Sequence, residues 1–93
     1  MTDEIKLEML KVDLGIKNQA YDVRLKQYLE FAAEAIRREG ITLKDCDGDD
    51  NLIIMYAAWM WRHRQQGDGM PRMLRYHLNN RLFSEKMATG ESG

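Results

Sequence analysis

The feature that most constrains this chain is an uninterrupted apolar run of ten residues, LIIMYAAWMW, from Leu52 to Trp61. In a helix, Trp59 and Trp61 would lie about 200° apart around the axis, so they cannot share one face. A helix that is apolar all round must be covered on several sides. We therefore predict either a central core helix or a helix whose second face meets another subunit. Aromatic residues are enriched at interfaces, which favours an interface role for at least one tryptophan.

The N-terminal segment predicts a short first helix. Thr2 is suited to cap it, and Gly15 is suited to end it near Asp13. The apolar side chains that we expect to face the core are Ile5, Met9 and Val12 or Leu10.

Residues 18–20 are expected to lead into a second, longer helix that runs to about Glu39, with Gly40 in a left-handed cap. Its apolar residues recur at spacings of three and four, which places them on one face. They are Tyr21, Leu25, Tyr28, Leu29, Ala32 and Ile36.

The third helix is predicted over about residues 50–66 and the fourth from Pro71, a favoured first helical residue, to about Lys86. A turn is expected over 67–69, and the tail is expected to be frayed from about residue 88. On the fourth helix we expect Arg72, Arg75 and Asn79 to point outward. The expected inward stripe is Met70, Met73, Leu74, Leu78 and Leu82.

These elements define one all-α domain over residues 1–93, because a chain of this length has room for a single core. We predict a small bundle of about four helices. The long second and third helices are expected to pack antiparallel through a connection of about ten residues.

The connection ends in DCDGDDN, residues 45–51, which resembles part of a calcium-binding loop. Asp45, Asp47 and Asp49 match the first, third and fifth positions of an EF-hand. Asp50 replaces the glycine at the sixth position, however, and Tyr56 replaces the glutamate at the twelfth. We therefore predict no metal site and expect Asp49 or Asp50 to cap the third helix.

Charge is unevenly distributed along the chain. The net charge is −1 overall, but residues 1–58 carry −4 and residues 59–86 carry +4. Such polarity suits charge-matched contacts between subunits or partners, and it also permits local contact with phosphate.

Composition favours a soluble protein from a reducing compartment. Cys46 is the single cysteine, the N-terminus is unlike a signal peptide, and the ten-residue apolar run is about half a membrane span. We expect an intracellular protein, or part of an assembly built inside a cell, with no membrane contact.

Catalytic signals are weak. His63 and His77 have no metal-ligand spacing with each other or with Cys46, and the GDG at 67–69 lacks the lysine of a phosphate loop. We predict no enzyme and no cofactor, and expect His77 to be packed. An enzyme would need a pocket around a perturbed His63 or His77.

The segment RHRQQGDGMPRMLRYHLNNRLF, residues 62–83, interleaves arginines with aromatic residues. Such a pattern is compatible with nucleic-acid binding or with a protein-contacting basic face. Arg81 falls within the apolar arc of the fourth helix, so we expect it to pair with a carboxylate or to lie at a subunit boundary.

Three long phrases resemble the head–tail connector proteins of tailed bacteriophages and prophages. They are YDVRLKQYLEFAAEAIRREGI (21–41), DNLIIMYAAWMWRHR (50–64) and GMPRMLRYHLNNRLF (69–83). The similarity extends over roughly residues 3–87.

The resemblance implies a structural protein that forms a ring of identical subunits under the portal and docks the next head-completion or tail protein. DNA would pass through the channel without sequence specificity. The implied location is the head–tail junction of the virion, after assembly in the bacterial cytoplasm. The residues that we predict at subunit or partner interfaces are Trp61, Arg62, Arg72, Arg75 and Arg81. The alternative is a small DNA-binding or DNA-packaging regulator that uses the basic fourth helix.

Overall fold

A computed structural model describes residues 1–64 and 69–88 of the chain. In that part the chain forms four helices and no strand, which confirms the all-α prediction. Most of the predicted turn at 67–69 and most of the predicted frayed tail lie outside the described residues. The helices are α1 (Asp3–Leu14), α2 (Asp22–Arg38), α3 (Asp47–Arg62) and α4 (Arg72–Ala88).

The apolar run forms the centre of the bundle. Helix α3 packs against all three other helices, most extensively against α2. Of the two alternatives predicted for this run, the central core helix is therefore confirmed, because α3 contacts each of the other three helices. Its buried apolar residues are Leu52, Ile53, Ile54, Ala57 and Ala58.

Helix α2 packs antiparallel to α3. Tyr21 and Tyr28, near the start of α2, contact Trp61 near the end of α3. The predicted inward face of α2 is largely confirmed, although Tyr21 is about half exposed. The buried residues of this face are Leu25, Leu29, Ala32 and Ile36.

The expected core face of α1 is wrong except at Leu10, which was one of two alternatives, and the ends of the helix are correctly predicted. The Thr2 hydroxyl accepts the Ile5 N–H at 3.2 Å, and Gly15 adopts a φ of 72°. Leu7 and Leu10 are buried, whereas the other residues predicted to face the core are exposed. Since α1 has apolar residues on two opposite faces, periodicity alone did not choose between them. The exposed residues are Ile5, Met9 and Val12.

Helix α3 begins three residues earlier than predicted, so neither Asp49 nor Asp50 is its cap. Cys46 occupies the N-cap position without a side-chain hydrogen bond. Asp49 instead accepts the Lys44 N–H at 2.8 Å, and Asp50 accepts from the Met1 amino group at 2.8 Å. The two carboxylates thus tie the first turn of α3 to neighbouring segments.

Helix α4 begins at Arg72, one residue later than predicted, and the Pro71 carbonyl accepts the Arg75 N–H at 3.1 Å. Leu74 and Leu78 are buried as expected. Two expectations are wrong, because Met73 and His77 are exposed. The stripe that packs inward is therefore narrower than the sequence indicated.

Candidate interaction surfaces

Trp61 packs between the start of α2 and the end of α3. Its ring makes edge contacts with Tyr21 and Tyr28, at centroid distances of 5.5 and 5.3 Å. The guanidinium of Arg64 lies 4.2 Å from the centre of the same ring, a cation–π geometry. Trp59 is also half-buried and makes an edge contact with Tyr56. Both tryptophans therefore contribute to packing within the chain.

Arg62 connects the last turn of α3 to the end of α1. Its guanidinium donates to the backbone carbonyl of Asp13 at 2.6 Å. A cation at this point is favourable for two reasons. The last carbonyl groups of a helix lack partners within the helix, and the negative end of the helix dipole lies there.

Arg75 forms a two-point ion pair with Glu39, which follows α2. Its terminal nitrogens lie 3.1 and 2.9 Å from the two carboxylate oxygens. The hydrogen bond from Arg75 lowers the pKa of Glu39 and outweighs the opposing effect of burial. The pair fastens α4 to the end of α2.

Arg81 is the best-connected arginine in the described chain. It donates to Asp49 at 2.7 and 3.2 Å, to Glu85 at 2.9 Å and to the Thr42 carbonyl at 2.7 Å. Burial would raise the pKa of Asp49, but hydrogen bonds from Arg81 and the Lys44 N–H lower it. The expectation that Arg81 needs a carboxylate partner is confirmed.

Arg72 is the exception among the five predicted interface residues. Its side chain is exposed and forms no hydrogen bond or ion pair within the described chain. Arg62, Arg75 and Arg81 have intramolecular partners, and Trp61 is half-buried. An interface role for any of the five stays a prediction, and Arg72 is the most available of them.

An apolar stripe that the sequence analysis missed runs along the outer side of α4. Its members are each more than half exposed and lie opposite the buried Leu74 and Leu78. With the exposed Asn80 between them, they recur every three or four residues. The available signal was the second apolar periodicity of α4, which the leucine stripe obscured. We call this set the α4 stripe: Met73, Tyr76, Phe83 and Met87.

A second exposed stripe lies on α1, on the side facing away from Leu7 and Leu10. Its residues are spaced by four and three and cover two helical turns. Their exposed fractions are 48%, 41% and 78%. We call this set the α1 stripe: Ile5, Met9 and Val12.

The exposed charges around the two stripes have opposite signs. Helix α1 exposes only acidic charged side chains, and α4 exposes only basic ones. Of the lysines of α1, Lys11 pairs with Asp22 at 3.0 Å, and Lys6 pairs with Asp3 at 3.5 Å and with Asp50 at 3.9 Å, so neither lysine pairs with the other three acids of α1. The exposed charged residues are Asp3, Glu4, Glu8 and Asp13 on α1, and Arg72 and Lys86 on α4.

The grooves of the bundle are shallow and open. One of them, of about 470 Å³, lies between α1 and α2, where Lys6, Lys26 and Glu30 contribute to its lining. A smaller groove of about 260 Å³ lies over Trp59, between Asp13 and Met73. Within residues 1–64 and 69–88, no three histidine, cysteine or acidic side chains are grouped to hold a metal ion. None of the described helices combines the length and apolar character needed to cross a bilayer.

Comparison of the chain with protein-family models, curated proteins and solved structures gave no match.

Proposed function

We propose that this chain is a non-enzymatic phage assembly protein, a head–tail connector that forms a ring of identical subunits under the portal. The ring would dock the next head-completion or tail protein and let DNA pass without reading its sequence. It would lie at the head–tail junction of the virion after assembly in the bacterial cytoplasm. The phrases at 21–41, 50–64 and 69–83 that resemble such connectors support this proposal.

The observation that carries the proposal is the amount of apolar side chain left on the surface. Ten large apolar residues within the described chain are at least 41% exposed, and seven of them form the stripes on α1 and α4. Contiguous exposed apolar patches mark protein–protein contacts. An assembly subunit requires such patches on more than one side, since it must meet its neighbours in the ring and its partners above and below.

The interior of the chain also supports a structural role. The pKa of Arg81 is raised mainly by its hydrogen bond to Asp49, so these two charged groups are engaged with each other in a tie between α3 and α4. The groove between α1 and α2 is bordered by the exposed side chains of Lys26 and Glu30. These features are typical of a rigid building block and give no support to a catalytic role.

The alternative, a DNA-binding or DNA-packaging regulator, needs arginines of α4 that are free to reach phosphate. Arg75 is held by Glu39, and Arg81 by Asp49 and Glu85, so phosphate contact would compete with existing ion pairs. Arg72 remains available, but one exposed arginine supplies little of the affinity that duplex binding requires.

The test is co-sedimentation of the purified chain with DNA-filled heads that carry the portal and have not yet acquired a connector. Heads without a portal vertex serve as the control, and a duplex DNA fragment at physiological salt is a separate arm. The proposal expects saturable binding to portal-bearing heads, no binding to portal-free heads and no specific DNA complex. A chain that ignores both kinds of head and binds DNA, with the complex lost in Arg72→Ala, would overturn it in favour of the regulator.

A further inference from the structure

The two exposed stripes form a complementary pair. The α1 stripe is apolar with acidic neighbours, and the α4 stripe is apolar with basic neighbours. We propose that the α1 stripe of one copy of this chain docks on the α4 stripe of a second copy. This inference rests on the proposed function, because it names the surfaces through which the ring would close.

Length and shape fit a helix-to-helix contact. The α1 stripe extends over eight residues, from Ile5 to Val12, or about 10 Å along the helix. The α4 stripe extends over fifteen, from Met73 to Met87, or about 21 Å. The alternating spacing of three and four on both helices is the spacing by which side chains of two packed helices interdigitate. Two turns of α1 can therefore be seated entirely within the α4 stripe.

Charge selects the pairing of α1 with α4 over the pairing of either helix with itself. Two α1 stripes brought together would oppose the carboxylates of Glu4, Glu8 and Asp13 to one another. Two α4 stripes would oppose Arg72 and Lys86 in the same way. Like charges across an interface disfavour it, whereas the mixed pairing places acids against bases.

The acids of the α1 stripe are not neutralised within their own subunit. The carboxylates of Glu4, Glu8 and Asp13 form no ion pair within the described chain, and neither does the guanidinium of Arg72. Charged side chains around an apolar strip are positioned to steer the approach of a partner and to set its register. A partner that carries the opposite sign on a matching apolar stripe is present in every other copy of this chain.

The symmetry of such a contact agrees with a ring. One copy presents α1 and its neighbour presents α4, so the contact is heterologous. The first copy keeps an unused α4 stripe, and the second keeps an unused α1 stripe. Repetition of a heterologous contact generates a closed ring when the rotation closes. The contact between two copies is small, and the repeated contacts of a closed ring would add to its stability.

The test uses two charge-reversed variants. The first, Glu4→Lys with Glu8→Lys, makes the border of the α1 stripe basic. The second, Arg72→Glu with Lys86→Glu, makes the border of the α4 stripe acidic. Each variant alone places like charges at every α1–α4 contact. In an equal mixture, however, the altered α1 of the first variant faces the altered α4 of the second, and the two unaltered surfaces also face each other. All contacts in the mixture are then complementary.

Light scattering at rising concentration, up to the solubility limit, measures association of the wild type, each variant and the mixture. We expect each variant to associate at least about tenfold more weakly than the wild type, and we expect the mixture to regain wild-type mass. We also expect the wild-type association to weaken with added salt. Far-ultraviolet circular dichroism verifies that the variants keep the helical fold, which exposed substitutions should leave intact.

Matched controls place the same charge changes on the exposed side of α2. Glu30→Lys with Glu34→Lys matches the first variant, and Arg24→Glu with Lys26→Glu matches the second. The controls should associate as the wild type does.

The possible failures are distinguishable. The α1–α4 contact is overturned if the wild type associates and both stripe variants associate equally well. It is also overturned if the mixture of the two variants does not regain the wild-type mass. Either result leaves the connector proposal standing. Loss of association in the α4 variant alone, restored by mixing it with wild type, would identify an α4–α4 contact and overturn the inference. If the wild type stays at monomer mass when alone and also does not assemble when portal rings are added, the inference and the connector proposal are overturned together.

Discussion

Replacement of Arg81 by alanine should cause a large loss of stability for a polar substitution. Asp49 has only 4% of its surface exposed, and its carboxylate is held by two hydrogen bonds from Arg81 at 2.7 and 3.2 Å. Removal of one partner of a buried ion pair leaves an uncompensated buried charge and costs about 3–5 kcal/mol. Because Asp49 keeps the hydrogen bond from the Lys44 N–H, we expect the lower end, about 3 kcal/mol.

Such a loss is readily measured. In a domain of this size it should lower Tm by at least about 12 °C. Urea unfolding followed by tryptophan fluorescence gives the free energy of unfolding directly. Arg38→Ala is the matched control, since Arg38 pairs with Glu34 at 3.9 Å on the exposed side of α2, and its loss should cost less than about 0.5 kcal/mol.

A double variant distinguishes the loss of the Arg81–Asp49 attraction from the cost of leaving Asp49 buried, charged and unpaired. Asp49→Asn with Arg81→Met removes both charges and keeps an acceptor for the Lys44 N–H, so it should recover most of the stability lost in Arg81→Ala. The reasoning is refuted if Arg81→Ala costs no more than Arg38→Ala. It is also refuted if the double variant is as unstable as Arg81→Ala.

Three further predictions follow from the packing and ion pairs. The folded-state pKa of Glu39 is lowered mainly by Arg75, so the pair stabilises the fold above the ordinary glutamate pKa of about 4.3. This stabilisation should be lost as pH falls through the folded-state pKa of Glu39. The free energy of unfolding should therefore fall less steeply with decreasing pH in Arg75→Gln than in the wild type. Leu10→Ala should cost about 3 kcal/mol in urea unfolding, whereas Met9→Ala should cost less than about 0.5 kcal/mol; equal losses would show that the orientation of α1 is wrong. Trp61→Ala should cost about 2–3 kcal/mol, because it removes two edge contacts between aromatic rings and the area that they bury; a loss below about 0.5 kcal/mol would place Trp61 outside the packing of α2 on α3.

The fold was predictable where one physical requirement dominated. The run from Leu52 to Trp61 leaves no polar side for water, so the residues alone indicated that it must be covered on several sides, and a central position was one of the two arrangements that meet this need. The core face of α2 was also clear, because most residues on the opposite side are charged, although Val23 and Phe31 are exposed there as well. Gly15 and Gly40 ended their helices with positive φ as expected, at 72° and 101°.

The errors occurred where two solutions satisfied the same local pattern. Helix α1 has one stripe containing Leu7 and Leu10 and another containing Met9, and only tertiary packing selects which is buried. On α4, Met73 and Leu74 are adjacent and equally apolar, but their side chains lie about 100° apart, so only one can face the core.

Neither the first residue of α3 nor the partners of the ion pairs could be predicted from the local sequence, for reasons that differ from those above. Aspartates are favourable both as a cap and in the first turn, so the cluster at 45–50 fixed the start of α3 only within a few residues. The need of Arg81 for a carboxylate was predictable. Its partner Asp49 was not, because the two residues are 32 positions apart and meet only in the folded chain.

The central claim, a subunit that assembles on a portal, is tested most directly by sedimentation velocity. The isolated chain, the portal ring from the same phage or prophage genome, and their mixture are compared at physiological salt. We predict a complex heavier than the portal ring by a fixed whole number of 10.9 kDa subunits, with the same number at every excess of the chain. An unchanged portal ring, with the chain sedimenting at its own mass in the mixture, would contradict the account.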